Sequence, residues 1–180
     1  REAHAGGVCG HIVPRFRLPE ELVRHDIDFV AEHGVKFEYA CDPALTVDEL
    51  RAQGFEYVLI GIGADKSSGV RLEGSNARVT KSLDFLRRHN RGEALDLGEH
   101  VAVVGGGNTA MDCARAARRV PGVKDVTVVY RRSRDEIPAF PEEYDEAVED
   151  GVAFRFLTNP ERFEADGSLT CRVMVLGAPD

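Results

Sequence analysis

What this chain lacks narrows its chemistry first. Its four cysteines, at positions 9, 41, 113 and 171, stand far apart, with no C-x-x-C pair and no Cys/His cluster at zinc-ligand spacing. Iron–sulfur and structural zinc sites within these residues are therefore not expected. No apolar run approaches the ~20 residues that cross a bilayer, and no leader pattern stands at the start, so a cytoplasmic surface without a membrane span is expected. A basic excess is missing too. Against 31 Asp and Glu there are 23 Lys and Arg, and the formal net charge of −8 argues against a nucleic-acid footprint. The Tyr-x-x-x-Lys pair of a short-chain dehydrogenase is also absent, since Tyr39, Tyr57, Tyr130 and Tyr144 are followed four residues later by Pro43, Gly61, Arg134 and Val148. What remains is an ordinary globular composition in 180 residues, enough for one large or two small domains with a sizeable core.

The most informative stretch is HVAVVGGGNTAMDCARAARRV, His100 to Val120, followed by VTVVYRRSR, Val126 to Arg134. It reads as strand, glycine turn, helix, strand and then basic residues, the order of a dinucleotide-binding βαβ unit. Gly105, Gly107 and Ala110 give G-x-G-x-x-A. Gly105 suits the tight turn, Gly107 lacks the side chain that would hold a pyrophosphate away, and Ala110 lets helix and strand approach closely. Gly105, Gly106, Gly107, Asn108, Thr109 and Ala110 thus form the candidate pyrophosphate cradle, with the free N–H groups of the following helix pointing at the phosphates.

An NAD-binding unit places an acid about 20 residues after the glycines to grip the ribose hydroxyls. Tyr130, Arg131 and Arg132 stand there instead. A carboxylate would repel a 2′-phosphate, whereas a guanidinium holds one by charge-assisted, often bidentate hydrogen bonds, so Arg131 and Arg132 point to NADPH rather than NADH. The alternative is a solvated strand end, and Arg134 shares either role. Cys113, inside the helix next to Asp112, is expected to pack as a small apolar group.

Elsewhere, Pro19 to Gly34 reads as an amphipathic helix, Val35 to Tyr39 as a strand, and Thr46 to Gln53 as a helix opened by a Thr-x-x-Glu capping box. An apolar strand at Phe55 to Ile60, a loop from Gly61 to Arg78 and a helix near Thr80 to Asn90 follow. Beyond Ile137 the chain reads as a helix through Glu143 to Glu149, and the acidic face of residues 142–150 is either solvated or set against a basic partner. Val152 to Leu157 and Leu169 to Val175 flank the turn EADGS as a hairpin. The chain opens on Arg1 rather than Met and closes on a strand pattern, so it reads as a piece of a longer protein.

Taken together, HIVPRFRLPEELVRHDIDFV, HGVKFEYAC, GFEYVLIGIGADKSSGV, VAVVGGGNTAMDCARAARRVPGV, VVYRRSRDEIPAFPEEYDEAVEDGVAFRFLTNPERF and MVLGAPD resemble the FAD- and NADPH-binding module of the glutamate synthase small subunit, shared with dihydropyrimidine dehydrogenase. The likeness covers nearly the whole chain and is nearest to a branch named for selenate reduction. It implies an α/β, three-layer fold of the pyridine-nucleotide-disulfide oxidoreductase type: a Rossmann-like NAD(P)-binding domain with a parallel sheet plus β-hairpin over 98–180, preceded over 1–97 by part of an FAD-binding domain and a connector. Gly61 and Gly63, in Gly-Ile-Gly, look like the family's turn near both cofactors, with Ile62 in place of the usual Thr; a plain turn after a strand is the alternative. The family's FAD fingerprint and late Gly-Asp segment are absent from these residues, so FAD is expected in the parent protein. The implied partners are the remaining FAD domain and an iron–sulfur domain or subunit. The implied function is hydride passage from NADPH to FAD; the alternative is a non-catalytic NADP(H)-binding assembly or sensing module.

Overall fold

The computed structural model describes residues 4–64, 69, 72–74 and 78–177. Two compact units divide the chain, Arg1–Lys66 and Ser67–Asp180.

The first unit holds three helices: α1 (Gly7–His11), α2 (Glu20–Glu32) and α3 (Val47–Ala52). Pro19 opens α2, where its missing N–H costs nothing, and Glu20 and Glu21 sit in the first turn, where the positive end of the helix dipole favours them. Thr46 and Glu49 form the reciprocal capping box expected for α3: the Glu49 N–H donates to Thr46 Oγ1 at 3.2 Å and the Thr46 N–H donates to Glu49 Oε2 at 2.8 Å. The strands expected at Val35 to Tyr39 and Phe55 to Ile60 do not form. A strand needs a neighbour to take its N–H and C=O groups, and no strand lies among the described residues of this unit. Most of their apolar side chains are consequently uncovered, Tyr57 and Leu59 almost completely (90% and 96% exposed).

In the second unit, α4 (Ser82–Asn90), β2 (His100–Val104), α5 (Asn108–Arg118), β3 (Asp125–Val129), α6 (Pro141–Glu149) and β4 (Ala153–Arg155) build the nucleotide-type half. β2, β3 and β4 lie side by side in that order, all parallel, with Val104 opposite Val129. The continuous valine runs suit strands covered by a helix. α5 packs on β2 and β3 and lies against both α4 and α6. Its Met111, Ala114 and Ala116 are completely buried, as are Val126 and Val128 of β3; each large side chain so covered contributes about 1.5–3 kcal/mol. The small alanines bring helix and sheet close.

A second sheet joins β1 (Glu73–Gly74), β5 (Thr158–Phe163) and β6 (Leu169–Val173). β5 and β6 are the antiparallel hairpin around the EADGS turn. Its first arm is not Val152 to Leu157, as the apolar pattern suggests. That run supplies β4, which joins the parallel sheet beside β3, with Val152 buried and the Phe154 ring tilted against that of Tyr144 of α6, centroids 4.6 Å apart. Leu157, held at φ +49°, turns the chain out between the two sheets. Pro160, which has no N–H for the ladder, lies at the register shift between Pro160 and Arg162. The loop expected over 61–78 lies partly outside the described residues, and its Glu73–Gly74 segment pairs with β5.

Candidate dinucleotide site

β2 ends at Val104, and the chain reverses through Gly105 to Gly107 into α5. Gly105 has φ +136°, a conformation open to glycine at little cost. Its N–H donates to the Val129 carbonyl at 3.1 Å, which ties the turn to β3. A Cβ on Gly105 would lie 3.5 Å from that of Ala110, the close packing for which a small residue was expected there. At Gly107, the N-cap of α5, no side chain caps the helix, and a Cβ would meet nothing within 4 Å. The Ala110 N–H turns back to the Gly107 carbonyl at 2.8 Å, and the start of the helix, with the positive end of its dipole, carries no side-chain cap beside the open space at Gly107. A pyrophosphate fits such a cradle, since it brings the acceptors that an uncapped helix N-terminus lacks.

Gly106 has a different task, which spacing alone did not reveal. It is buried, and a Cβ there would lie 2.8 Å from two carbons of the Tyr130 ring. Tyr130 follows β3 directly; its hydroxyl donates to the Glu136 carbonyl at 2.9 Å. The Ala139 N–H donates to the Gly106 carbonyl at 3.0 Å, and the Phe140 N–H donates to Asn108 Oδ1 at 2.9 Å. The segment after β3 is thus laced onto the glycine turn. Its own fold is set by a capping box in which Ser133 donates N–H and hydroxyl to Glu136 Oε2, at 3.2 and 3.0 Å. Those bonds, the backbone N–H first, together with the charge of Arg132, hold the Glu136 carboxyl below its ordinary value. The Ser-x-x-Glu spelling at Ser133 to Glu136 was the available signal for this turn.

Arg131 and Arg132 emerge directly after Tyr130 and are exposed. Arg134 lies over the Tyr144 ring at 5.0 Å, a cation–π contact. The glycine turn and the arginines therefore belong to one unit, at the ends of adjacent parallel strands. Thr109 is exposed in the first turn of α5, and Ala110 is buried beneath it. Gly61 and Gly63 belong to the other unit, where a Cβ at either would meet nothing within 4 Å and Gly63 has φ +65°.

The rest of α5 is anchored by charge. Arg115 Nε donates to Asp150 Oδ2 at 2.7 Å and its Nη1 pairs with Glu146; Arg119 reaches both Asp150 oxygens, at 2.6 and 3.0 Å. Part of the acidic face of α6 is therefore turned onto α5. Cys113 is buried, with its thiol pushed up to about 12 by desolvation and then by the Asp112 charge, so it stays a neutral packing group. No group of three or more His, Cys, Asp or Glu among the described residues is placed to hold a metal ion, and no described helix is long and apolar enough to cross a membrane.

With this geometry in hand, the likeness to known proteins is specific. The pyridine nucleotide-disulphide oxidoreductase family model matches residues 7–178. YgfK of Escherichia coli (strain K12), named as an oxidoreductase, is 67% identical over 180 residues, which are 100% of this chain and 17% of that protein. The NADPH-Fe(3+) oxidoreductase subunit beta of Geobacter sulfurreducens (strain DL-1 / KN400) is 37% identical over 99% of this chain and 28% of its own length. The glutamate synthase [NADPH] small chain of Azospirillum brasilense is 33% identical over 92% of this chain and 37% of its own length. The chain spans well under half the length of each.

Proposed function

We propose, starting from the fact that this chain belongs to the pyridine nucleotide-disulphide oxidoreductase family, that its second unit binds NADPH for a flavin-dependent oxidoreductase of which these residues are one part. The observation that carries the reading is the uncapped N-terminus of α5 at Gly107, open to a pyrophosphate, in the same unit as the Arg131–Arg132 pair. The backbone N–H groups from Gly107 to Thr109 hold the pyrophosphate, and the guanidinium groups of Arg131 and Arg132 take the 2′-phosphate. Bound NADPH supplies a hydride, and FAD held by the parent protein accepts it. This chain's residues contribute binding and orientation, and no general acid or base is needed for that step.

The names of two relatives, an NADPH-Fe(3+) oxidoreductase subunit and an NADPH glutamate synthase small chain, support the choice of nicotinamide. In this reading residues 1–97 are a partial flavin-domain segment with its connector, 98–180 are the NADPH-binding domain, and Gly61 and Gly63 belong to the turn near the cofactors. On the same reading the flavin would pass its electrons to iron–sulfur centres on other domains or subunits. The full-length protein, titrated with NADPH and NADH and then mixed rapidly with each while flavin absorbance is followed, tests the reading. Preferential binding of NADPH with flavin bleaching is expected. Binding without bleaching would make this a nucleotide-sensing or assembly module, and tighter binding of NADH would overturn the arginine assignment.

A further inference from the structure

An exposed arginine has several rotatable bonds, and selectivity for a phosphate depends on how well the backbone beneath it is held. The backbone under Arg131 and Arg132 is held on one side by the second sheet's junction: the Thr158 N–H donates to the Tyr130 carbonyl and the Leu157 N–H donates to the Arg132 carbonyl, both at 3.0 Å. On the other side the brace is Tyr130 itself. Its ring fills the space over Gly106 so closely that no side chain fits there, and its hydroxyl reaches across the loop to the Glu136 carbonyl. The loop returns to the same glycine through the Ala139 N–H. One side chain thus touches the candidate phosphate turn at one end and the far side of the arginine loop at the other.

Resting on the NADPH reading above, we propose that Tyr130 is the positioning residue that sets selectivity for a 2′-phosphorylated nucleotide, holding the arginine loop in register with the glycine turn. It touches no reacting atom. Gly106 is the complementary half of this device, and its lack of a side chain serves the tyrosine ring rather than the phosphates.

The test uses the full-length protein and measures the affinities of NADPH and NADH. Tyr130→Phe keeps the ring on Gly106 and removes only the hydroxyl bond. It is expected to weaken NADPH about three- to tenfold while NADH changes by less than about twofold. Gly106→Ala, which must displace the ring, is expected to lower the NADPH-over-NADH ratio further. In a background of Arg131→Ala with Arg132→Ala the Tyr130→Phe effect should disappear, because the brace has no cation left to position. A merely structural role would weaken both nucleotides alike and persist without the arginines, and either result overturns the inference. If the unaltered protein prefers NADPH and Tyr130→Phe keeps the whole preference, the brace alone is wrong. If the unaltered protein does not distinguish the two nucleotides, the reading beneath it falls as well. Tyr130→Phe, which removes one oxygen and no packing, keeps the test decisive even where Gly106→Ala does not fold.

Discussion

Asp150 is the single residue on which the anchorage of α5 is most concentrated, and Asp150→Ala should release it. Its carboxylate accepts three hydrogen bonds, one from Arg115 and two from Arg119, and its carbonyl accepts a fourth from Arg118 Nε at 3.2 Å. The substitution spares the carbonyl bond and removes the other three. A hydrogen bond to a charged group contributes about 1.5–3 kcal/mol, but the Arg119 side chain is 37% exposed, so its share is discounted towards the surface value of under about 1 kcal/mol. Arg115 is the deeper partner, its side chain only 10% exposed, and it keeps Glu146. A loss of about 2 kcal/mol follows, or about 8 °C in melting temperature for a unit of this size. The pH dependence has a definite sign. Hydrogen bonding from Arg119 first, then from Arg115, holds the folded carboxyl below its ordinary 3.8, against the opposing effect of burial. The stabilisation is therefore complete above that value and is lost as the pH falls through the lower folded one. Thermal unfolding of the full-length protein and of Asp150→Ala, from pH 7 down to pH 3, should give two curves that run apart by a constant amount above about pH 4 and begin to approach each other below it. A difference under about 0.5 kcal/mol at pH 7, or one that grows on acidification, would refute the reasoning.

Arg131→Ala with Arg132→Ala is expected to weaken NADPH more than about tenfold and to flatten its salt dependence, with NADH much less affected, in calorimetric titrations at two ionic strengths; equal losses for the two nucleotides would remove the arginines from the 2′-phosphate. Gly105→Ala should lower stability by about 1–3 kcal/mol in denaturant unfolding, because φ +136° strains any L side chain while the new methyl group meets Ala110 at an ordinary 3.5 Å; an unchanged midpoint would show that the turn relaxes freely. Cys113, buried with its thiol raised to about 12, should resist alkylation at pH 8 while exposed Cys9 is labelled, as read by mass spectrometry of peptides; equal labelling rates would mean that α5 opens readily.

The βαβ unit was legible because each of its steps is local. An apolar run of four, a glycine turn, a helical repeat and a second valine run follow one another from Val101 to Val129, and every one of these elements forms. Partners were not legible in the same way. Val152 to Leu157 has the residues of a strand, but a short apolar run does not say which edge it joins, and the slot beside β3 with Tyr144 above it decided the matter. Val35 to Tyr39 and Phe55 to Ile60 fail for the converse reason: their pattern suits a sheet, and no described strand of their unit stands beside them. The acidic face of α6 read as either solvated or set against a basic partner, and its complement, Arg115 and Arg119, lies on the far side of β3 in sequence, with Arg115 separated by 31 residues from Glu146 and by 35 from Asp150. The middle glycine makes the point most directly. In G-x-G-x-x-A the position of Gly106 is an unconstrained x, yet its lack of a side chain is required by a ring that arrives only after β3 has paired with β2. A local motif specifies where the chain must turn, whereas the contact that couples that turn to the arginine loop exists only once two strands are in register, so it belongs to the sheet rather than to the motif.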